Sequence, residues 1–363
     1  MVKFRECILN ITPYVPGKPV EEVQRELGLQ NVIKLASNES PLGPSKKAIE
    51  VMQRVAADGI SMYPDGSHYC LKKVLAKHLG VGENNLIIGN GTDEILKLIE
   101  ETYIYPDDEI IMADPSFSGY LLGTQLMGGK VVKVPLDQNY THNLDAMLEA
   151  ITERTKIIFI CNPNNPTGTI IVKGQLDRFL DAVPEDILVV IDEAYYEYVE
   201  NKEYPNSIEY IKEGKNVMVT RTFSKIYGLG GLRIGYGIAN ENIISLINRA
   251  RMPFNVNTMA QVAAIASIQD SEQVPKSFRV NKEGKEYLYK EFDKMGLFYI
   301  PTEANFIFVD IGVNARGVYE ALLEKGIIVR TGDNFGKPTF IRVTIGKPEE
   351  NKRFIQSLKE ILG

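Results

Sequence analysis

Cysteine and histidine are scarce in this chain, with three of each in 363 residues. Cys7, Cys70 and Cys161 are odd in number and far apart, which excludes a disulfide framework and points to a reducing compartment. Neither they nor His68, His78 and His142 have metal-ligand spacing, so no metal centre is expected. Basic residues are not in excess: the net charge is −6 and the pI near 5.4. That is the reverse of a nucleic-acid footprint, although a few local arginines suffice to make a pocket for an anionic small molecule. No apolar run reaches the ~18 residues of a membrane span. The first 19 residues lack the apolar core of a signal peptide and are broken by Pro13 and Pro16. A cytoplasmic protein with neither nucleic-acid nor membrane partners is the expectation. No low-complexity tract and no repeat of solenoid length is present.

What is there reads as an α/β enzyme. The chain is too long for one compact core and suits a large domain plus a smaller one. Short apolar runs at 86–88, 109–113, 130–134, 156–161, 187–191, 216–220 and 234–238 alternate with helical patterns such as Leu71, Val74, Leu75 and Leu79, or Leu176, Phe179 and Leu180. Several runs are apolar without alternation (Ile157, Ile158, Phe159, Ile160), as strands buried on both faces are. This predicts a mostly parallel central sheet flanked by helices over 36–255. Beyond Thr258 the pattern changes to helix over 258–296, strands near 305–310, 327–330 and 340–345, and helices over 315–325 and 349–362. Residues 1–35 and 256–363 are therefore expected to form a smaller α+β domain.

Ligands of open α/β sheets bind beyond the carboxyl ends of the strands, so the residues following each run carry the argument. After the first comes Gly89-Asn90-Gly91-Thr92-Asp93-Glu94. It reads as a phosphate cup at a helix N-terminus, or as a plain turn with a helix cap. With Asp114 closing the next strand it also reads as a near-miss dinucleotide fingerprint. After 156–161 comes Asn162-Pro163-Asn164-Asn165-Pro166-Thr167-Gly168, a rigid turn that holds three amides at the sheet edge. Asp192 ends a buried strand, followed by Glu193, Ala194 and Tyr195. A carboxylate there is costly without a cation; the alternative is a helix cap. Lys225 follows Arg221-Thr222-Phe223-Ser224 just past another buried strand, where burial makes an amine a nucleophile for carbonyls. Arg233, beyond a glycine-rich stretch, can clamp a phosphate.

Taken together and in this order, Gly91-Thr92, Asn165 to Gly168, Asp192 with Tyr195, and Ser224-Lys225 with Arg233 resemble the fold-type-I pyridoxal-phosphate aminotransferases. The match runs from about residue 13 to 346. Within that family the resemblance is strongest to the histidinol-phosphate aminotransferase branch. It rests on Ile11-Thr12-Pro13-Tyr14, the stretch from Lys34 to Gly43, Tyr63-Pro64-Asp65-Gly66, Gly326 to Arg330, and Ile341 to Gly346. Two local departures are Ser40, where the family often has Asn, and Phe117, where Tyr or Phe is found.

The resemblance implies pyridoxal 5'-phosphate as cofactor and a role for each matching residue. Lys225 would carry the cofactor covalently and then move the substrate Cα proton. Asp192 would pair with the ring nitrogen, Asn165 and Tyr195 with the ring oxygen, and Phe117 would stack on the ring. Gly91, Thr92, Asp93, Thr222, Ser224 and Arg233 would hold the phosphate, joined by Tyr63 from a partner subunit, which implies a homodimer with shared sites. Arg342 would bind a substrate carboxylate or phosphate, with Arg330, Tyr14 and Asn38 completing the pocket. The implied reaction is amino transfer between L-histidinol phosphate and 2-oxoglutarate, giving imidazole acetol phosphate and glutamate, in histidine biosynthesis. An aromatic amino acid aminotransferase is the first alternative. A nicotinamide-dependent oxidoreductase is the second, and it leaves Lys225, Asp192 and Asn165 unused.

Overall fold

The computed structural model describes residues 2–11 and 17–363. After β1 (Ile33–Lys34) come seven strands: β2 (Leu86–Gly89), β3 (Glu109–Asp114), β4 (Lys130–Pro135), β5 (Thr155–Cys161), β6 (Leu188–Asp192), β7 (Val217–Thr222) and β8 (Gly235–Ala239). They form one sheet in the order β2-β8-β7-β6-β5-β3-β4. β7, β6, β5, β3 and β4 are parallel, and β8 runs antiparallel to both its neighbours.

The unbroken apolar runs have a simple cause. Successive side chains of a strand point to opposite faces, and here both faces are covered. Ile158, Ile160, Val189, Ile191 and Val219 pack into one core. Ile157, Phe159, Leu188, Val190 and Met218 pack into the other. The helix Lys46–Asp58 starts at Ser45, whose hydroxyl accepts from the Ala48 amide at 3.1 Å, a cap that satisfies an otherwise orphaned donor. The helix Tyr69–Leu79 buries Leu71, Leu75 and Ala76 and stops at Gly80, which has φ +67°. Against these two lies the helix Thr258–Ile268. Its Ala260, Ala263, Ala264 and Ala266 join the same core as the sheet. This stretch, grouped with the C-terminal part by its sequence pattern, thus lies on the large core.

The C-terminal part contains β9 (Phe298–Ile300), β10 (Phe306–Asp310), β11 (Ile327–Ile328), β12 (Arg330–Thr331) and β13 (Phe340–Thr344). An antiparallel sheet runs β12-β13-β10-β9. Leu288, Phe292, Val318, Leu322, Phe354 and Leu358, from three helices, cover it. β1 pairs in parallel with β11, and the Thr344 amide donates to the Leu35 carbonyl at 2.8 Å. The segment that leads to Asn38 is therefore stitched to the small sheet and delivered to the edge of the large one.

Candidate active site

A cavity of about 440 Å3 opens where β5, β6 and β7 end, facing the small sheet. Strand register builds its floor: Cys161 is opposite Asp192, and Asp192 is opposite Thr220. Of the anticipated residues, Asn38, Thr92, Asp93, Phe117, Asn165, Asp192, Tyr195, Thr222, Ser224, Lys225, Arg233, Arg330 and Arg342 line it. Gly91 stands behind Arg233. Tyr63 lies outside the cavity of its own chain, and Tyr14 falls outside the described residues. Ser37, Ser118, Cys161, Asn334 and Phe335 also line the cavity and were not anticipated. Ser37, Ser118 and Cys161 adjoin residues that the motifs did mark, but their own side chains carry no charge or special geometry that singles them out.

Asp192 sits at the floor, 3% exposed. Tyr120 donates to its Oδ2 at 2.9 Å and Thr220 to its Oδ1 at 3.1 Å. Among the described residues it has no cationic partner within ion-pair distance. Burial pushes its carboxyl up to about 6, against the opposing pull of these two hydroxyls. The reading of Asp192 as a helix cap does not hold, since its side chain serves no helix end.

Lys225 approaches from the end of β7, with its amine donating to the Ser37 carbonyl at 3.0 Å and 5.7 Å from the Tyr195 ring centre. Enclosure lowers it to about 8, and the nearby Arg342 charge adds to the effect. The loop that carries it passes tightly against Gly43: a Cβ on Gly228, which has φ +69°, would lie 2.3 Å from the Gly43 carbonyl. Only glycine permits that approach.

One wall is a cradle for an anion. Gly91, at φ +81°, opens the helix Thr92–Tyr103, and a Cβ there would lie 2.7 Å from Arg233 Nη2. The helix N-terminus brings unpaired amides and a positive dipole end. Arg233 reaches it from its own left-handed turn (φ +54°) and bonds Asp93 at 2.8 Å. The Thr222 hydroxyl accepts from the Ser224 amide at 3.0 Å, which turns the chain toward the same point.

The opposite wall is a polar web. Asn38, in a left-handed conformation (φ +56°), donates from Nδ2 to the Tyr195 hydroxyl at 3.0 Å. Its own backbone is held by Thr344 at 2.9 Å and by Asn305 at 2.9 Å. Tyr195 is held protonated by burial, so with Asn38 as its donor it keeps its proton to give into the cavity. Arg342 is buried and donates to Asn165 Oδ1 at 2.5 Å and to the Ala36 carbonyl at 2.7 Å. Arg330 is its direct partner across β12 and β13. Two guanidinium groups opposed in this way suit an anionic group of a substrate.

The dinucleotide reading fails on topology. β2 is an edge strand paired only with antiparallel β8, so no βαβ unit surrounds the Gly89–Gly91 turn. Asp114 is outside the cavity and faces Lys133 at 3.5 Å. Tyr63 is 82% exposed and stacks on Phe254 with ring centres 4.9 Å apart; Ile60, Met62 and Met252, close to these two in sequence, are exposed as well.

The family model "Aminotransferase class I and II" matches residues 30–358. The chain is 60% identical over 361 residues to the histidinol-phosphate aminotransferase of Moorella thermoacetica, covering 99% of this chain and 93% of that protein. It is 52% identical over 359 residues to that of Caldicellulosiruptor saccharolyticus, covering 99% of this chain and 100% of that one. Among solved structures, histidinol-phosphate aminotransferase from Sinorhizobium meliloti in complex with pyridoxal-5'-phosphate superposes with a TM-score of 0.92 at 26% identity, covering 100% and 98% of the two chains.

Proposed function

We infer the activity of this chain from its family: it belongs to the aminotransferases of class I and II. It is a pyridoxal-phosphate-dependent transaminase that moves the amino group between L-histidinol phosphate and 2-oxoglutarate, giving imidazole acetol phosphate and glutamate. The observation that carries this reading is Lys225, a cavity amine brought to about 8 between an unpaired buried carboxylate and an anion cradle.

The residues suit the cofactor. Asp192 lacks a cation, and a protonated ring nitrogen would supply one. The Gly91 turn, Thr92, Asp93, Thr222, Ser224 and Arg233 form a wall for its phosphate, Asn165 and Tyr195 offer donors for a ring oxygen, and Phe117 offers a face. When bound, pyridoxal phosphate supplies a carbonyl that takes over the amino group and a ring that accepts electrons from the substrate Cα. Lys225 holds and moves the Cα proton, because an amine that titrates near neutrality both takes up and releases it. Asp192 keeps a positive charge at the ring nitrogen. Arg330 and Arg342, opposed across two strands, orient the phosphate of one substrate and the distal carboxylate of the other. One anion site serving both halves of the exchange predicts ping-pong kinetics.

The reading makes the enzyme a homodimer in which each Tyr63 serves the other subunit's cavity. The support is its exposure, with only Phe254 stacked on its ring, outside the lining of its own cavity. It also puts the reaction in the cytoplasm, supported by three unpaired cysteines and by the absence, among the described residues, of any helix long and apolar enough to cross a membrane. The domain division is that of the sequence pattern, a large unit around 36–255 and a small one from both chain ends, with the helix Thr258–Ile268 seated on the former. Borohydride reduction of the loaded protein followed by peptide mapping tests the assignment. The cofactor mass should appear on the peptide containing Lys225, and its appearance on another lysine would overturn the site.

A further inference from the structure

Tyr120 carries no sequence signal, yet it touches two of the residues that line the cavity, Asp192 and Phe117. It lies in the helix Gly119–Leu126 and is 0% exposed. Its ring stacks on Phe159 of β5, with centres 4.4 Å apart and planes 3° apart. Phe117, three residues earlier and just before the helix, meets that ring at 83° and 5.4 Å. Its hydroxyl donates to Asp192 Oδ2 at 2.9 Å, while Thr220 holds Oδ1 at 3.1 Å.

We propose that Tyr120 is a positioning residue for the transamination, fixing the Asp192 carboxylate through its hydroxyl and Phe117 through its ring. The proposal rests on the reading above that Asp192 partners the cofactor's ring nitrogen. A carboxylate with one donor can rotate about its Cβ–Cγ bond. With a donor on each oxygen, its plane is set. The donor itself cannot wander, because the Tyr120 ring is clamped between Phe159 and Phe117. A fully buried hydroxyl is costly unless it is bonded, so the pair is mutually dependent. The two hydroxyls also favour the charged form of a group that burial disfavours. The other titratable groups acting on or feeling Asp192 are Asp93, Cys161 and Tyr195. None of them is a cation, so the two hydroxyls, together with the Ala194 backbone amide, are what favours the ionised carboxylate before the cofactor arrives.

Tyr120→Phe removes the hydroxyl and keeps the ring stack. The measurement is the affinity of the apo-protein for pyridoxamine 5'-phosphate as a function of pH. This amine form of the cofactor cannot condense with Lys225, so Lys225 chemistry is kept out of the readout. Loss of a hydrogen bond to a charged group should weaken binding about tenfold or more near neutrality. It should also move the acid limb of binding upward by about one pH unit. A purely structural role for Tyr120 would lower the melting temperature and leave the limb in place. Thr220→Val removes the other donor from a different element and should shift the limb in the same direction. Wild-type affinity and an unmoved limb in both variants overturn the proposal. An unmoved limb in the valine variant overturns it also if the phenylalanine variant does not fold. Failure of the wild-type protein to bind pyridoxamine phosphate instead overturns the cofactor reading, and this inference with it.

Discussion

Replacing Lys225 by alanine should lower turnover by at least about 10³-fold while leaving the protein folded and able to bind pyridoxal phosphate. The expectation follows from where the amine sits. Brought to about 8 by enclosure and then by Arg342, it is neutral in about a tenth of molecules at pH 7, where an ordinary lysine is neutral in fewer than about one in a thousand. Only the neutral amine attacks a carbonyl or accepts a proton. Lys225→Arg should be equally inactive, since a guanidinium stays charged. Stability moves the other way. The folded value lies below the unfolded one, so Lys225 destabilises the fold at pH below about 8 and ceases to do so above about 10.5. The apo alanine variant should therefore melt no lower than wild type at pH 7. Because Arg233, Thr92, Thr222 and Ser224 remain, cofactor phosphate binding persists, and a calorimetric titration separates that from the lost chemistry.

Asp192→Asn should lower turnover on the order of 10²- to 10³-fold, as expected when one partner of a buried charged pair is removed. The apo-protein should respond in the opposite sense. The folded value of Asp192, about 6, is above its unfolded value. Its contribution to stability is thus fully present below the unfolded value and is lost as pH rises through about 6. At pH 7.5 the apo-enzyme carries a desolvated carboxylate without a cation, and the asparagine variant does not. Its apo melting temperature should exceed wild type by a few degrees at pH 7.5, and the gap should close near pH 4. Loaded with cofactor, the order should reverse. Differential scanning calorimetry of both proteins, apo and loaded, at the two pH values reads the crossing. A lower apo melting temperature for the variant at pH 7.5 would mean that Asp192 is already compensated without the cofactor.

The large sheet was legible because its strands are buried on both faces. All seven runs read from the sequence appear as β2 to β8, displaced at their ends by a residue or two. β9 was not read, being three residues long with an exposed Phe298. The helix Thr258–Ile268 was read as a helix but grouped by position in the chain, and alanines do not announce which core they enter. In the site, residues at strand ends were legible because a charged group after an apolar run is costly without a purpose. Contacts between distant segments were not. Nothing local connects the Lys225 amine to the Ser37 carbonyl, or sets Arg330 opposite Arg342. Tyr120 looks like any core aromatic until Asp192 is placed against its hydroxyl.

The most direct test of the central claim is a single-turnover experiment read by absorbance. Protein loaded with pyridoxal phosphate is mixed separately with L-histidinol phosphate, phenylalanine and glutamate, and the decay of its visible band is followed. The account predicts that histidinol phosphate discharges the band far faster than phenylalanine, that glutamate also discharges it, and that Lys225→Ala abolishes both. Faster discharge by phenylalanine would contradict the substrate assignment, and a wild-type protein that never acquires the band would contradict the role of Lys225.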